Sequence, residues 1–479
     1  MLIVVSSREP YLHQTAEDGT PTAVPTTGGV SVALDALMRQ RGGTWIAHGA
    51  GDADREVTDE HDCIQVPPEQ PGYTLHRIWL SDQEERQYLH GFANEGLWPL
   101  CHMVHVKPVF RADDWDAYRA VNRRFAEAVV EHLTDPSTPV FIQDYHMALV
   151  AAELRRLRPG TKTALFWHIP WPHPDQLRIC PWRRELMQGL LANDLVAFQL
   201  QRDRRNFLTA VRDELGLDPR NGVVRADGRD THVIDAPIGI DFDRISGMAA
   251  SPGILIDKDR LRRELRLTAP IVGIGVDRLD YTKGIPERLD AIDRLLTARP
   301  DLATRLVFVQ IGVPSRSTLS SYATLEQEID EKVAELNTRH GRSAIDGPIR
   351  YRKGALKLRR LIALYQLADF CVVSSLHDGM NLVAKEFVAS RNDERGVLVL
   401  SELTGAAQEL TGALIINPYD RAGFAAALAT AIEMPHREQA HRMSRMRRVV
   451  AGHNIFLWAS EILGNLKNLS GKRRFGWVA

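Results

Sequence analysis

Arg278 and Lys283 stand five residues apart in the stretch VDRLDYTKG, directly after the apolar run Pro270 to Gly275. A fixed guanidinium and a flexible ammonium close to a helix start suit a phosphate or diphosphate, because the N–H groups of that start add to their charge. An ion-pair network accounts for the spacing equally well: Arg278 would meet Asp277 or Asp280, and Lys283 would lie at the surface. A second stretch, SSLHDGMNLVAKE from Ser374 to Glu386, shifts the balance toward the anion. There an apolar strand runs into the small-residue turn Asp378 and Gly379, and a helix begins near Met380, so its backbone offers another anion site. Glu386 follows about two helical turns on, where a carboxylate can accept hydrogen bonds from a ribose diol. Phosphate donors with a ribose acceptor describe a nucleoside diphosphate.

In the first half of the chain Arg8 follows LIVVSS, Asp144 and His146 follow PVFIQ, and His168 follows TALFW within HIPWPHP. The glycine pair Gly28 and Gly29 permits close approach of backbone to a ligand. A lone histidine is more often a core residue than a catalyst. His168 stands above that baseline because Asp144 ends a neighbouring apolar run, and both would point into one crevice. The histidines at 146, 168 and 173 lack an i, i+4 pair, and HExxH, Cys-pair, Walker and GxGxxG patterns are absent, so no metal is expected. Asp52 and Asp54 sit in a polar loop and read as surface residues.

The elements that must position these groups are legible as periodicity. Continuous apolar runs (LIVVS at 2, PVFIQD at 139, TALFWHI at 163, DLVAFQL at 194) alternate with helix-like stretches, the pattern of parallel sheets covered on both faces. From Asp114 the residues Trp115, Tyr118, Val121, Phe125, Val129 and Leu133 form one apolar helical stripe. The rhythm breaks between about 235 and 262, where Pro, Gly, Ser and charges collect. A second series follows: PIVGIGV at 270, RLVFVQIGV at 305, FCVVSS at 370, GVLVLS at 396 and GALIINP at 412. Two doubly wound α/β domains joined near 240–255 are expected. Ligands of such sheets bind beyond the carboxyl ends of the strands, where the polar groups above fall.

The 479 residues, 44% of them hydrophobic and 25% charged, describe an ordinary globular chain. Sixty basic against sixty-one acidic residues give a formal charge of -1, which advertises neither nucleic acid nor an anionic membrane. Cys63, Cys101, Cys180 and Cys371 are scattered, so reduced thiols in a cytoplasm are expected rather than disulfides or structural zinc. No signal peptide and no membrane span are expected.

Taken in order, SSRE, QDYH, HIPWP, VDRLDYTKG, HDGMNLVAKE, TGAAQEL and INPYD resemble the trehalose-6-phosphate synthase family, retaining glycosyltransferases of the two-domain GT-B architecture. The resemblance covers nearly the whole chain. It implies two Rossmann-like domains facing an interdomain cleft: an acceptor-side domain over 1–245, a nucleotide-sugar domain over 246–450, and a C-terminal helix over 451–479 crossing back to the first. It also implies glucose transfer from a nucleotide-glucose to glucose 6-phosphate, giving α,α-trehalose 6-phosphate. Nucleotide-glucose would be a co-substrate, with no cofactor or metal; the other partner would be a phosphorylated sugar or polyol, and a homo-oligomer remains open. Carried over, Arg278 and Lys283 would neutralise the leaving diphosphate. Asp378, Gly379, Met380, Asn381 and Leu382 would hold sugar and phosphates by backbone, Glu386 the ribose, and Gly29 the diphosphate. His168 and Asp144 would bind the transferred glucose, and attack would come from the front face.

On the acceptor side Arg8, Trp98 and Arg316 match an early Arg, a Trp and a later Arg of the family. Leu89, in YLHGFAN, stands where that family has Tyr, and His48, in WIAHG, where it has a second Trp. The opening SSREPY also resembles the REPY of glucosylglycerol-phosphate synthases, relatives that use glycerol 3-phosphate as acceptor. A pseudoenzyme that binds sugar phosphates and a pyridoxal-dependent phosphorylase of the same architecture are the competing readings. The intact donor positions oppose the first.

Overall fold

The computed structural model describes residues 1–26, 29–135, 137–316, 319–341 and 347–472. The chain forms two compact units, one of residues 1–238 with 455–479 and one of 239–454.

The first unit is built on a nine-stranded sheet in the order Val223–Ala226, Arg229–Asp235, Leu195–Phe198, Lys162–Trp167, Pro139–Gln143, Leu2–Arg8, Gly43–His48, Tyr73–Ile78, Cys63–Val66. Pairing is parallel throughout except at the two edges, each closed by an antiparallel partner. Every apolar run named above from this half is a strand, because helices cover both faces and leave no room for polar alternation. The stripe from Trp115 to Val129 lies on the helix Ala112–His132 and is buried. The helix Ile455–Lys472 belongs to this unit. Its Trp458 packs against Phe141 and Phe166, with ring centroids 5.5 and 4.9 Å away.

The second unit carries a six-stranded, wholly parallel sheet: Ile349–Lys353, Leu306–Val313, Ile271–Arg278, Phe370–Val373, Val397–Ser401, Leu414–Ile416. Numbered along the chain this is the order 3-2-1-4-5-6, with the reversal between Ile271–Arg278 and Phe370–Val373. A doubly wound sheet opens its ligand crevice at that reversal. In the first unit the corresponding reversal lies between Leu2–Arg8 and Pro139–Gln143.

Three features differ from the expectation. The stretch read as a joining segment near 240–255 holds the helix Phe242–Ala249 and the start of Gly253–Glu264. The Asp241 side chain accepts from the Arg244 N–H at 3.1 Å and caps the first, while Ile245, Ile254 and Leu261 supply buried apolar contacts that outweigh the local Pro, Gly and Ser. The strand Gly43–His48 has only the short apolar run Trp45 to Ala47, and Tyr73–Ile78 intersperses Thr, His and Arg, yet both are largely buried. The helix expected from Met380 begins at Leu382, because Asn381 turns to φ 83° and caps it through the Ala384 N–H.

Candidate active site

The strand Ile271–Arg278 ends at Arg278, and the chain turns through Tyr281–Lys283 into the helix Ile285–Ala298. Gly284, between them, has φ 62°, and a Cβ there would stand 2.3 Å from the Ser374 carbonyl oxygen. Only glycine meets both conditions. Below the turn Arg288 is fully buried; its Nη1 donates to Asp277 Oδ2 at 2.6 Å and Gln310 Oε1 at 2.7 Å, and its Nε to Ser374 Oγ at 3.0 Å. Ser374 Oγ in turn donates to the Gly284 carbonyl at 2.8 Å. Arg288 therefore fastens together the two strands that flank the reversal.

Asp277 is thus taken by Arg288, and the pairs of the charged cluster lie elsewhere. Arg278 Nη2 is 4.0 Å and Arg316 Nη1 3.3 Å from Asp280 Oδ2. Burial opposes ionisation of Asp280, but Arg316, Arg278, Lys283 and the Thr282 N–H outweigh it and hold the carboxyl below its ordinary range. Lys283, itself buried, donates to Asp378 Oδ2 at 2.6 Å. Asn381 Nδ2 reaches the same oxygen at 3.1 Å. Arg278, Lys283 and Arg316 thus gather with Asp280 and Asp378 at the carboxyl end of the sheet. Basic groups placed there, beside the N-terminus of the helix Leu382–Ser390, suit an anion.

Gly379 and Met380 complete the turn, held by Gly405 and Ala406, whose N–H groups donate to the Asp378 and Met380 carbonyls at 3.2 and 2.8 Å. Glu386 lies on the next helix, where burial pushes its carboxyl up to about 7 although the Tyr365 hydroxyl donates to it at 3.3 Å. Of the second unit's candidates, Arg278, Lys283, Arg316, Asp378 and Asn381 are joined by these contacts, and Glu386 follows five residues after Asn381.

In the first unit Asp144 adopts φ 71° and ψ 172°, a conformation that costs a non-glycine residue roughly 1–3 kcal/mol. It is held by its own N–H, which donates to the Phe166 carbonyl at 2.7 Å, and by Oδ1, which accepts the His168 N–H at 3.0 Å. Asp144 and His168 are therefore side by side. His168 Nε2 meets Gln143 Oε1 at 2.9 Å. Burial pushes its pKa down to about 3, so the ring is neutral. With Nε2–H donating to Gln143, Nδ1 carries a lone pair, and it has no protein partner among the described residues.

Arg8 and His48 end adjacent strands and face one another in register. His48 is buried, which lowers its pKa. Trp98 is buried against His102, ring centroids 4.2 Å apart, where the π-helix Glu85–Leu97 gives way to Trp98–Cys101. Leu89 lies half-buried on that π-helix, a form that recurs at functional sites. Gly29 opens the helix Gly29–Arg41, while Gly28 lies outside the described residues.

Two features were missed from the sequence. Tyr88, beside Leu89, is fully buried, its hydroxyl next to Ser7; its neighbour drew attention only because it departs from the resemblance. Asp54, read as a surface residue, is fully buried and accepts N–H groups of His13 at 2.7 Å and Gly51 at 2.6 Å and the guanidinium of Arg77 at 2.8 Å. Arg77 also pairs with Glu9 at 2.8 Å, and burial pushes the Glu9 carboxyl up to about 8. Residues from three separate segments meet here, so local polarity gave no sign of burial.

A model of glycosyltransferase family 20 matches residues 1–468. Trehalose-6-phosphate synthase of Mycolicibacterium smegmatis is 38% identical over 475 residues, covering 97% of this chain and 92% of that protein. The crystal structure of a UDP-forming α,α-trehalose-phosphate synthase from Burkholderia xenovorans in complex with glucose-6-phosphate superposes with TM-score 0.87 and 31% identity over 97% of this chain and 99% of that one. An E. coli trehalose-6-phosphate structure bound with UDP-2-fluoro glucose gives TM-score 0.85 and 31% identity, over 97% and 98% of the two chains.

Proposed function

The chain belongs to glycosyltransferase family 20, and on that premise we propose that it moves glucose from a nucleotide-glucose to glucose 6-phosphate, forming α,α-trehalose 6-phosphate. The observation that carries this reading is the gathering of basic groups at the switch point of the second sheet, where Arg278 and Arg316 lie against Asp280 and Lys283 against Asp378. A leaving diphosphate develops charge as its bond to the sugar breaks, and fixed cations lower that barrier more than water can. Because Arg278 and Lys283 supply positive charge at the leaving diphosphate, the reaction proceeds without a metal ion.

The bond from glucose C1 to the diphosphate oxygen breaks and a bond from C1 to the acceptor hydroxyl oxygen forms on the same face. The acceptor's proton passes to the departing phosphate oxygen, and the configuration at C1 is retained. Neutral His168 accepts a glucose hydroxyl at Nδ1, and Asp144 fixes that ring's backbone. Glu386 receives the ribose hydroxyls, and the turn Asp378–Leu382 holds glucose and phosphates. Arg8, Trp98, Arg316, His48 and Leu89 are assigned to the acceptor, with Gly29 approaching the diphosphate.

A matrix of UDP-, GDP- and ADP-glucose against glucose 6-phosphate and glycerol 3-phosphate, read by nucleotide release and product identification, tests the assignment. No release with glucose 6-phosphate would sink it. Glycerol 3-phosphate is the second reading, favoured by two observations: Leu89 offers no hydroxyl, and His48 is smaller than the tryptophan it replaces.

A further inference from the structure

Cys63, His76 and His132 come together although 13 and 56 residues separate His76 from the other two. Cys63 lies on the edge strand Cys63–Val66 directly opposite His76 on Tyr73–Ile78, so their side chains share one face of the hairpin. His132 is the last residue of the helix Ala112–His132. One ligand atom from each residue lies within 4.8 Å of the others, and His76 Nδ1 and His132 Nε2 are 2.7 Å apart. The charges felt by the cluster are Asp59, Asp62 and Glu131. A helix C-terminus adds further negative potential. Asp62, His76 and Glu131 also line a cavity of about 300 Å³, with room for water beside the cluster.

We propose that Cys63, His76 and His132 bind one divalent transition cation of the zinc class, with water in the fourth position. One thiolate and two imidazoles are a donor set that selects zinc or cobalt over magnesium or calcium. Tetrahedral bonds of about 2.0 to 2.3 Å set ligand atoms roughly 3.3 to 3.6 Å apart. The facing nitrogens must therefore part slightly, and the sulfur must close by at most about an ångström. On binding, the Cys63 thiol releases its proton to solvent. The imidazole that now donates across the nitrogen pair shifts its proton to its other ring nitrogen, so one proton leaves per cation. None of the three residues is among the candidate substrate contacts. The cation fastens an edge hairpin to a helix end, and it takes no part in the glycosyl transfer.

Titration of the full-length, chelator-treated chain with Co²⁺ tests this. The other three thiols are buried, so a thiolate-to-cobalt charge-transfer band reports Cys63. One equivalent should saturate that band, Cys63→Ser should abolish it, and His132→Asn should weaken binding at least about tenfold with an unchanged far-ultraviolet spectrum. Zn²⁺ should raise the melting temperature of the parent chain and leave that of Cys63→Ser where it was. Absence of the band in the parent chain, or its survival in Cys63→Ser, overturns the proposal.

Discussion

Lys283 Nζ lies 2.6 Å from Asp378 Oδ2, joining the turn after one switch-point strand to the turn after the other. The two residues are 95 positions apart in the chain. The carboxylate holds the ammonium at the carboxyl end of the sheet, and Asn381 shares the same oxygen. Lys283 is buried rather than at the surface, where the ion-pair reading put it, and its carboxylate partner positions the charge that a diphosphate would use.

Lys283→Ala removes that charge and leaves Asp378 its bonds from Ser375 and Asn381. Turnover, followed as nucleotide release, should fall about 10²- to 10³-fold while the melting temperature changes little. Unchanged turnover would falsify the leaving-group assignment.

Arg288 and Asp277 form a buried pair at 2.6 Å with side chains 0% and 2% exposed. Arg288→Met leaves a buried carboxylate and should cost about 3–5 kcal/mol in denaturant unfolding of the second unit. The double change Arg288→Met with Asp277→Leu should cost less than the single one, because no charge is then stranded. A double variant weaker than the single would mean that the contacts to Gln310 and Ser374 matter more than the charge.

His168 is held at a pKa of about 3 against an ordinary 6.5. Below 6.5 the unfolded chain takes up this proton before the folded one does. The group's contribution to stability is therefore complete above 6.5 and drains away as pH falls toward 3. His168→Gln should flatten the rise of the unfolding midpoint with pH between about 4 and 7. Equal slopes for the two proteins would place the titration on another group.

Leu89→Tyr restores a hydroxyl on the π-helix beside the buried Tyr88. The ratio of kcat/KM for glucose 6-phosphate over glycerol 3-phosphate should rise about two- to tenfold, the worth of one hydrogen bond. An acceptor profile identical to the parent's would remove Leu89 from the acceptor site.

Much of the site was legible because it lies where apolar runs stop. Arg278 ends, and Asp144 and His168 each follow, a strand whose composition marks it as buried on both faces, and a polar residue at that point lies at a strand end whatever the neighbouring strands are. The strands Gly43–His48 and Tyr73–Ile78 escaped notice because their His48, His76 and Arg77 are buried by partners distant in sequence, not by their own apolarity.

The sequence by itself determined the class of fold and the residue types at the strand ends, since periodicity and the run of apolar residues are properties of neighbours along the chain. Tertiary structure decided which ends meet. The strand order brings Lys283 to Asp378, Arg288 to Ser374, Arg77 to Glu9 and Asp54, and His132 to Cys63 and His76. Those meetings come from crossover connections and register over tens of residues. Burial of whole sheet faces selects them, and no local spacing records them.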